Sequence, residues 1–245
     1  MSDLLLSAQD LTVAFSMGRW WNKKGEFRAL DQVSFDIRKG EIFGVMGRNG
    51  CGKTTLLRVL AGAAKVTSGD IKECTERPLS KALLSIGFGF DRYLSGRDNA
   101  LLSAMLQGYS KKQAQNNLEE IQEFSELEDF FNQPVLKYSS GMRSKLGFAT
   151  AMTLDVDLLL VDETLSVGDE NFKDKAKAAM LDKMSRSQAV VFVSHNAGLV
   201  DSLCQRAIWL EKGRVEAAGD TAAVAGKYQS FMKKLRKEKA STAAA

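Results

Sequence analysis

The stretch Gly47-Arg48-Asn49-Gly50-Cys51-Gly52-Lys53-Thr54-Thr55 constrains this chain more than any other. It fits G-x-x-x-x-G-K-S/T, and it lies between an apolar run, Ile42-Phe43-Gly44-Val45-Met46, and the helical-looking Thr54-Thr55-Leu56-Leu57-Arg58-Val59-Leu60-Ala61. A strand, a glycine-rich turn and a helix in that order let successive backbone N–H groups converge on an anion, with the positive end of the helix behind them. Lys53 is then placed for the β- and γ-phosphates of a nucleotide, and the Thr54 hydroxyl for Mg²⁺.

With 245 residues, 44% of them hydrophobic, the chain can bury one substantial core, read here as one domain with two lobes. No run approaches the roughly 18–20 apolar residues that cross a bilayer. Met1-Ser2-Asp3-Leu4-Leu5-Leu6 lacks the basic region and long apolar stretch of a signal peptide, so a cytoplasmic chain is expected. Cys51, Cys74 and Cys204 are far apart and form no C-x-x-C, which points to reduced thiols rather than a zinc site or a disulfide framework. Lys233, Lys234, Arg236, Lys237 and Lys239 against Glu238 account for the whole net charge of +4. The body up to residue 231 is therefore balanced, which argues against a nucleic-acid-binding face. The basic end suits either weak attraction to anionic lipid or a merely solubilising terminus.

Along the chain, Leu11-Thr12-Val13-Ala14-Phe15 and Val33-Ser34-Phe35-Asp36-Ile37 alternate as half-buried strands do, predicting a small antiparallel sheet. Between them, Gly18-Arg19-Trp20-Trp21-Asn22-Lys23-Lys24-Gly25 reads as a hairpin loop or an interfacial anchor. Leu83–Phe88 reads as a further strand. From Gly96 the pattern turns helical: Ser110 with Gln113 makes a capping box, and Ala114, Leu118, Ile121 and Phe124 share one face. Met142, Leu146 and Ala149 continue at helical spacing after Ser139-Ser140-Gly141, closing a helical insert over 97–153. Asp157–Glu163 and Ala189–Val193 are apolar runs of the kind found in buried parallel strands, with a helix over Phe172–Met184 between them. A hairpin over Ala207–Val215 and a last amphipathic helix with Val224, Tyr228, Phe231 and Leu235 complete the chain.

Downstream of a phosphate loop, Leu158-Leu159-Leu160-Val161-Asp162-Glu163 ends in two adjacent carboxylates. The first suits Mg²⁺ and the second suits taking a proton from an attacking water. His195, the chain's single histidine, follows the strand Val190–Val193 at the end where open α/β sheets place ligands.

Together these residues resemble the ATP-binding-cassette family. Tyr138-Ser139-Ser140-Gly141-Met142-Arg143 stands where that family has its Leu-Ser-Gly-Gly-Gln signature, and Ser166-Val167-Gly168-Asp169 looks like its D-loop. His195 looks like the switch histidine, and Phe15 like the aromatic that stacks on adenine. The resemblance covers residues 8–231. It implies an α/β fold: a P-loop, RecA-like core of about residues 1–95 and 154–231, an antiparallel β subdomain, and an inserted α-helical subdomain of about 96–153. The basic tail is 232–245.

The departures narrow the resemblance. Tyr-Ser-Ser-Gly-Met, Gly89-Phe90 followed by Leu94-Ser95-Gly96-Arg97-Asp98-Asn99, and Val167-Gly168-Asp169 look like the ATPases that energise export of lipid-linked polysaccharides such as capsule, O-antigen and teichoic acid. Members with a carbohydrate-binding C-terminal domain are longer, and this chain looks like the short, capsule-type or small O-antigen form. The resemblance implies ATP and Mg²⁺ as cofactors, a homodimer beneath a separate transmembrane permease, no nucleic acid, and a peripheral place on the cytoplasmic face of the bacterial inner membrane. It implies that Gly47, Arg48, Asn49, Gly50, Cys51, Gly52, Lys53, Thr54, Thr55 and Phe15 hold ATP, and that Thr54 and Asp162 hold the metal. Glu163 would be the general base, with His195 beside the γ-phosphate. Ser139, Ser140, Gly141 and Met142 would cap the nucleotide of the second copy, with Asp169 in the D-loop. Asp91 stands where the family often has a glutamine that senses the permease. A bulky reagent on Cys51 is expected to block nucleotide binding. The competing readings are an exporter of another substrate, a soluble cassette protein of DNA repair or translation, and a small P-loop kinase active as a monomer.

Overall fold

The structure, a computed structural model, describes residues 3–16, 26–84, 90–107, 109–162, 172, 175–176, 178–179, 181–183 and 188–243. In chain order the strands are β1 (Leu4–Ser16), β2 (Glu26–Arg38), β3 (Ile42–Met46), β4 (Ser68–Glu73), β5 (Lys81–Leu84), β6 (Leu158–Asp162), β7 (Ala189–Ser194), β8 (Arg206–Glu211) and β9 (Arg214–Asp220). The helices are α1 (Lys53–Leu60), α2 (Gly96–Leu106), α3 (Lys111–Asn116), α4 (Leu118–Ser125), α5 (Ser140–Thr153), α6 (Ala197–Leu203) and α7 (Thr221–Ala243). They fall into two compact units, Met1–Pro78 with Ala189–Ala245, and Leu79–Gln188. No helix among the described residues is long and apolar enough to cross a membrane.

The first unit holds two layers of sheet. In one, β1 pairs antiparallel with β2 and with β4; β1 and β2 are longer than the alternating segments predict, with Leu11 opposite Val33 and Phe15 opposite Phe27. The alternation in β2 buries Val33, Phe35 and Ile37 while their neighbours face water, as a one-sided sheet requires. In the other, β3 lies parallel between β7 and β8, and β9 closes the hairpin antiparallel to β8. Every residue of β7 is buried, and so are four of the five in β3, which is why both read as continuous apolar runs. The register sets Met46 opposite Ser194, so the chain leaves β3 and β7 side by side at the same end.

α7 packs on this unit through aromatic contacts, with Trp209 at 5.7 Å from Tyr228 and 4.9 Å from Phe231. The helix runs through the predicted boundary at 231/232 and continues to Ala243. Its last turns are rich in Lys and Ala, which are good helix formers.

In the second unit β5 and β6 pair in parallel, Lys81 with Leu158 through Leu84 with Val161. β5 begins earlier than the predicted strand over Leu83–Phe88, and residues 85–89 lie outside the described ones. The Asp157 carboxylate ties the two strand starts together by accepting from Ser80 N–H at 2.9 Å and Ser80 Oγ–H at 2.8 Å.

The helical part packs Ala100, Leu118, Ile121, Phe131, Tyr138, Leu146 and Ala149 into one cluster. The Ser110–Gln113 capping box is formed. The shared face of Ala114, Leu118, Ile121 and Phe124 is divided between α3 and α4, because the chain breaks at Asn117, a weak helix former. Of the predicted helix over Phe172–Met184, the described residues are helical. Phe172 meets Phe124 at 5.9 Å and Phe148 at 6.1 Å, and Lys145 and Lys175 both donate to Glu126 beside them. Those two ammonium groups hold the Glu126 carboxyl below its ordinary range, Lys175 most strongly.

Candidate functional site

The loop after β3 is held from behind. A Cβ on Gly47 would run into the Leu210 carbonyl oxygen, and one on Gly52, at φ +112, into the Ala29 carbonyl oxygen. Backbone bonds complete the clamp: Gly213 N–H donates to Cys51 O at 3.0 Å, and Asp31 N–H to Gly213 O at 2.8 Å. The Asp31 carboxylate accepts from Arg214 Nε at 2.7 Å and Arg28 Nη1 at 2.9 Å, and these guanidinium bonds keep it below the ordinary carboxylate range.

Toward solvent the same loop is open. Gly50, at φ +80, has nothing within 4 Å of where a Cβ would stand. Among the described residues no side chain caps the start of α1, and no acid sits in its first turn. Lys53 Nζ donates to Gly47 O at 2.7 Å and Arg48 O at 2.9 Å, so the ammonium arches over the turn. Open amides at a helix start under a fixed cation fit a phosphate chain. Thr54 is exposed and Thr55 half-buried on the first turn of α1. Asn49 is exposed, while Arg48 folds back: its Nε donates to Glu211 Oε2 at 3.0 Å, and its guanidinium lies 5.7 Å from the centre of the Phe231 ring.

Cys51 faces inward rather than into the mouth, under Gly47. Burial pushes its thiol up, against the pull of Lys53 Nζ at 4.0 Å. We therefore expect iodoacetamide at pH 7 to modify the half-buried Cys74 before the buried Cys51, as peptide mass mapping would read; equal rates would show that Cys51 is accessible.

His195 leaves β7 beside the loop and is exposed, followed by Asn196, whose side chain caps α6 by accepting Gly198 N–H at 3.1 Å. Thus the tertiary structure brings together the loop, His195 and, through Ala29 on β2, the strand pair carrying Phe15. Phe15 is 51% exposed and lies opposite Phe27, 49% exposed, which makes a pair of aromatic rings on that hairpin.

In the second unit, Asp162 ends β6 and is half-buried. Glu163 and Asp169 lie outside the described residues. Ser139 is the N-cap of α5, which begins at Ser140; its Oγ accepts Met142 N–H at 3.1 Å and keeps its own O–H to donate. Ser139 and Ser140 are exposed and Gly141 half-buried. Behind them Tyr138 is buried, its hydroxyl donating to Phe130 O at 2.6 Å, and burial pushes its pKa up to about 12. Asp91 is exposed and closes a turn by accepting Tyr93 N–H at 2.8 Å. The loop's real anchor is Asn99, buried to 1% exposure, which accepts from Asp91 N–H at 2.8 Å and donates to Asp91 O and Ser95 O, both at 2.9 Å.

Sequence reading missed Asn99, Asp31 and Glu211. The two acids stood in predicted or neighbouring strand segments with no local sign that a distant arginine would meet them.

A parallel-strand unit with a lysine-bearing phosphate loop at the strand ends defines a P-loop nucleotide-binding protein. More narrowly, the chain belongs to the ABC transporter family, whose sequence model matches residues 30–166. It is 39% identical over 216 residues to the teichoic acids export ATP-binding protein TagH of Listeria innocua, covering 88% of this chain and 63% of that protein. It is 37% identical to TagH of Staphylococcus haemolyticus, covering 89% and 81%, and 39% identical to the O-antigen export system ATP-binding protein RfbB of Klebsiella pneumoniae, covering 86% and 84%. The chain thus spans less than two thirds of the Listeria protein and over four fifths of the other two. Among solved structures, the dimeric ATP-binding cassette MJ0796 in a post-hydrolysis state bound to ADP and Pi has the same fold, with a TM-score of 0.70 at 21% identity over 89% of this chain and 99% of that one.

Proposed function

We propose that the chain is the ATP-binding and ATP-hydrolysing subunit of an exporter for a lipid-linked envelope polysaccharide of the O-antigen or teichoic acid class. It would work as a homodimer on the cytoplasmic face of the bacterial inner membrane, beneath a separate permease. The observation that carries the nucleotide chemistry is the loop itself, braced behind by Leu210 and Ala29 and open in front, with Lys53 fixed across it. The names of the relatives support the substrate class.

On this reading Lys53 and the amides of Gly50–Thr54 bind the phosphates and orient them. Phe15 carries the adenine on its exposed ring. Thr54 and Asp162 would hold Mg²⁺, which when bound offsets the charge of the β- and γ-phosphates. Glu163 takes the proton from the attacking water, and His195 donates a hydrogen bond to the γ-phosphate oxygens. The second copy supplies Ser139 to Met142, whose hydroxyl and helix start stabilise charge on the transferring group, and Asp169 lies in the D-loop that meets the partner cassette. Asp91, on its Asn99-anchored turn, transmits closure to the permease. Residues 1–231 form the cassette, with the helical subdomain over about 96–153.

The test is MgATP turnover of the purified chain over a range of protein concentrations. Because each site needs two copies, the rate per chain should rise with concentration and then level off as dimers fill. A constant rate from a strictly monomeric protein would refute the shared site, and the absence of both binding and turnover would refute the ATPase.

A further inference from the structure

We propose that the cleft between Arg48 and the inner face of α7 is a second anion site, built for a phosphate-bearing ligand other than the nucleotide on Lys53. The cleft holds about 630 Å³, the size of a small-molecule site. Lys53 and Thr54 do not line it. One wall is Arg48, Asn49 and His195, and the other is a helical stripe of Tyr228, Met232, Lys233 and Arg236.

Among the described residues no carboxylate lines the cleft. Arg48 is already neutralised by Glu211, so the uncompensated charge comes from Lys233 and Arg236. Neither has an ion-pair partner among the described residues, and both are exposed. They stand three apart on one helix, where like charges repel each other. An anion bound between them removes that repulsion. The wall that carries them is held in place: Trp209 packs on Tyr228 and Phe231, and Arg48 lies over Phe231. A guanidinium fork and an ammonium facing one opening suit phosphate oxygens. Met232 and Tyr228 provide an apolar floor for whatever the phosphate is attached to. The phosphate has two possible sources, a soluble polyphosphate or the head group of an anionic phospholipid.

Equilibrium dialysis with labelled inorganic pyrophosphate, on the full chain saturated with MgADP, tests the site without relying on activity. The wild type should still retain pyrophosphate. Lys233→Ala/Arg236→Ala should bind it about tenfold or more weakly, having lost two charge-assisted contacts, with MgADP affinity unchanged. Loss of pyrophosphate binding when MgADP fills the loop, or equal binding by the double variant, would overturn the proposal and leave the ATPase reading intact. Sedimentation with phosphatidylglycerol vesicles, against phosphatidylcholine, separates the sources. Binding that the double variant loses assigns the lipid head group, whereas pyrophosphate retention without vesicle binding assigns a soluble ligand.

Discussion

Glu163→Gln is expected to lower MgATP turnover by about 10²–10⁴-fold, the usual worth of a positioned general base, while leaving nucleotide affinity near wild type. Glu163 directly follows Asp162, the last residue of β6, and glutamine keeps its size but exchanges one acceptor oxygen for an NH₂ donor that cannot take the water's proton. On the proposed cycle, in which ATP binding closes two copies and hydrolysis reopens them, the variant should accumulate as a dimer when MgATP is added. Single-turnover hydrolysis together with size-exclusion chromatography reads both effects. Turnover within about threefold of wild type, far short of a lost general base, would remove Glu163 from the role of base. A dead enzyme that also fails to bind would point to misfolding instead.

The second large effect is Gly52→Ala. At φ +112 an L side chain is strained, and the new methyl would press on the Ala29 carbonyl, which belongs to a paired strand and cannot swing away. Strain and overpacking together should cost about 2–4 kcal/mol. In a chain of this length that corresponds to a melting temperature lower by about 10 °C. The loop would have to move off β2, so MgATP affinity should fall with it. Gly50→Ala gives the contrast: its methyl meets nothing within 4 Å, so stability should drop by only about 1 kcal/mol, while the methyl intrudes on the open mouth and weakens binding. Thermal melts and nucleotide titration of the two variants decide the matter. Equal melting temperatures would mean that the Ala29 contact does not brace the loop.

The phosphate loop was legible in the sequence because its chemistry is local: nine consecutive residues carry the turn, the cation and the helix start. The buried strands β3, β6 and β7 were legible because a strand covered on both faces is apolar throughout. The break at Asn117 was missed because the apolar spacing runs straight across it. The clamp of Arg48 by Glu211 was out of reach for a different reason: the two are 163 positions apart, and neither neighbourhood hints at the other. Asn99 stood in the sequence only as the end of the segment Leu94–Asn99, and it is its burial and hydrogen bonds that show it anchoring the turn carrying Asp91.

The sequence alone determined the kind of chemistry, since short-range patterns of glycine, lysine and paired carboxylates restrict the backbone and charge that a phosphate could meet. Tertiary structure decided what braces that chemistry and what lies beside it. Met46 comes level with Ser194, which sets the loop and His195 at one edge, and α7 brings Lys233 and Arg236 to a cleft beside Arg48. Both depend on strand register and helix packing between distant segments, which are chosen by the burial of the whole core and leave no mark on any short stretch of chain.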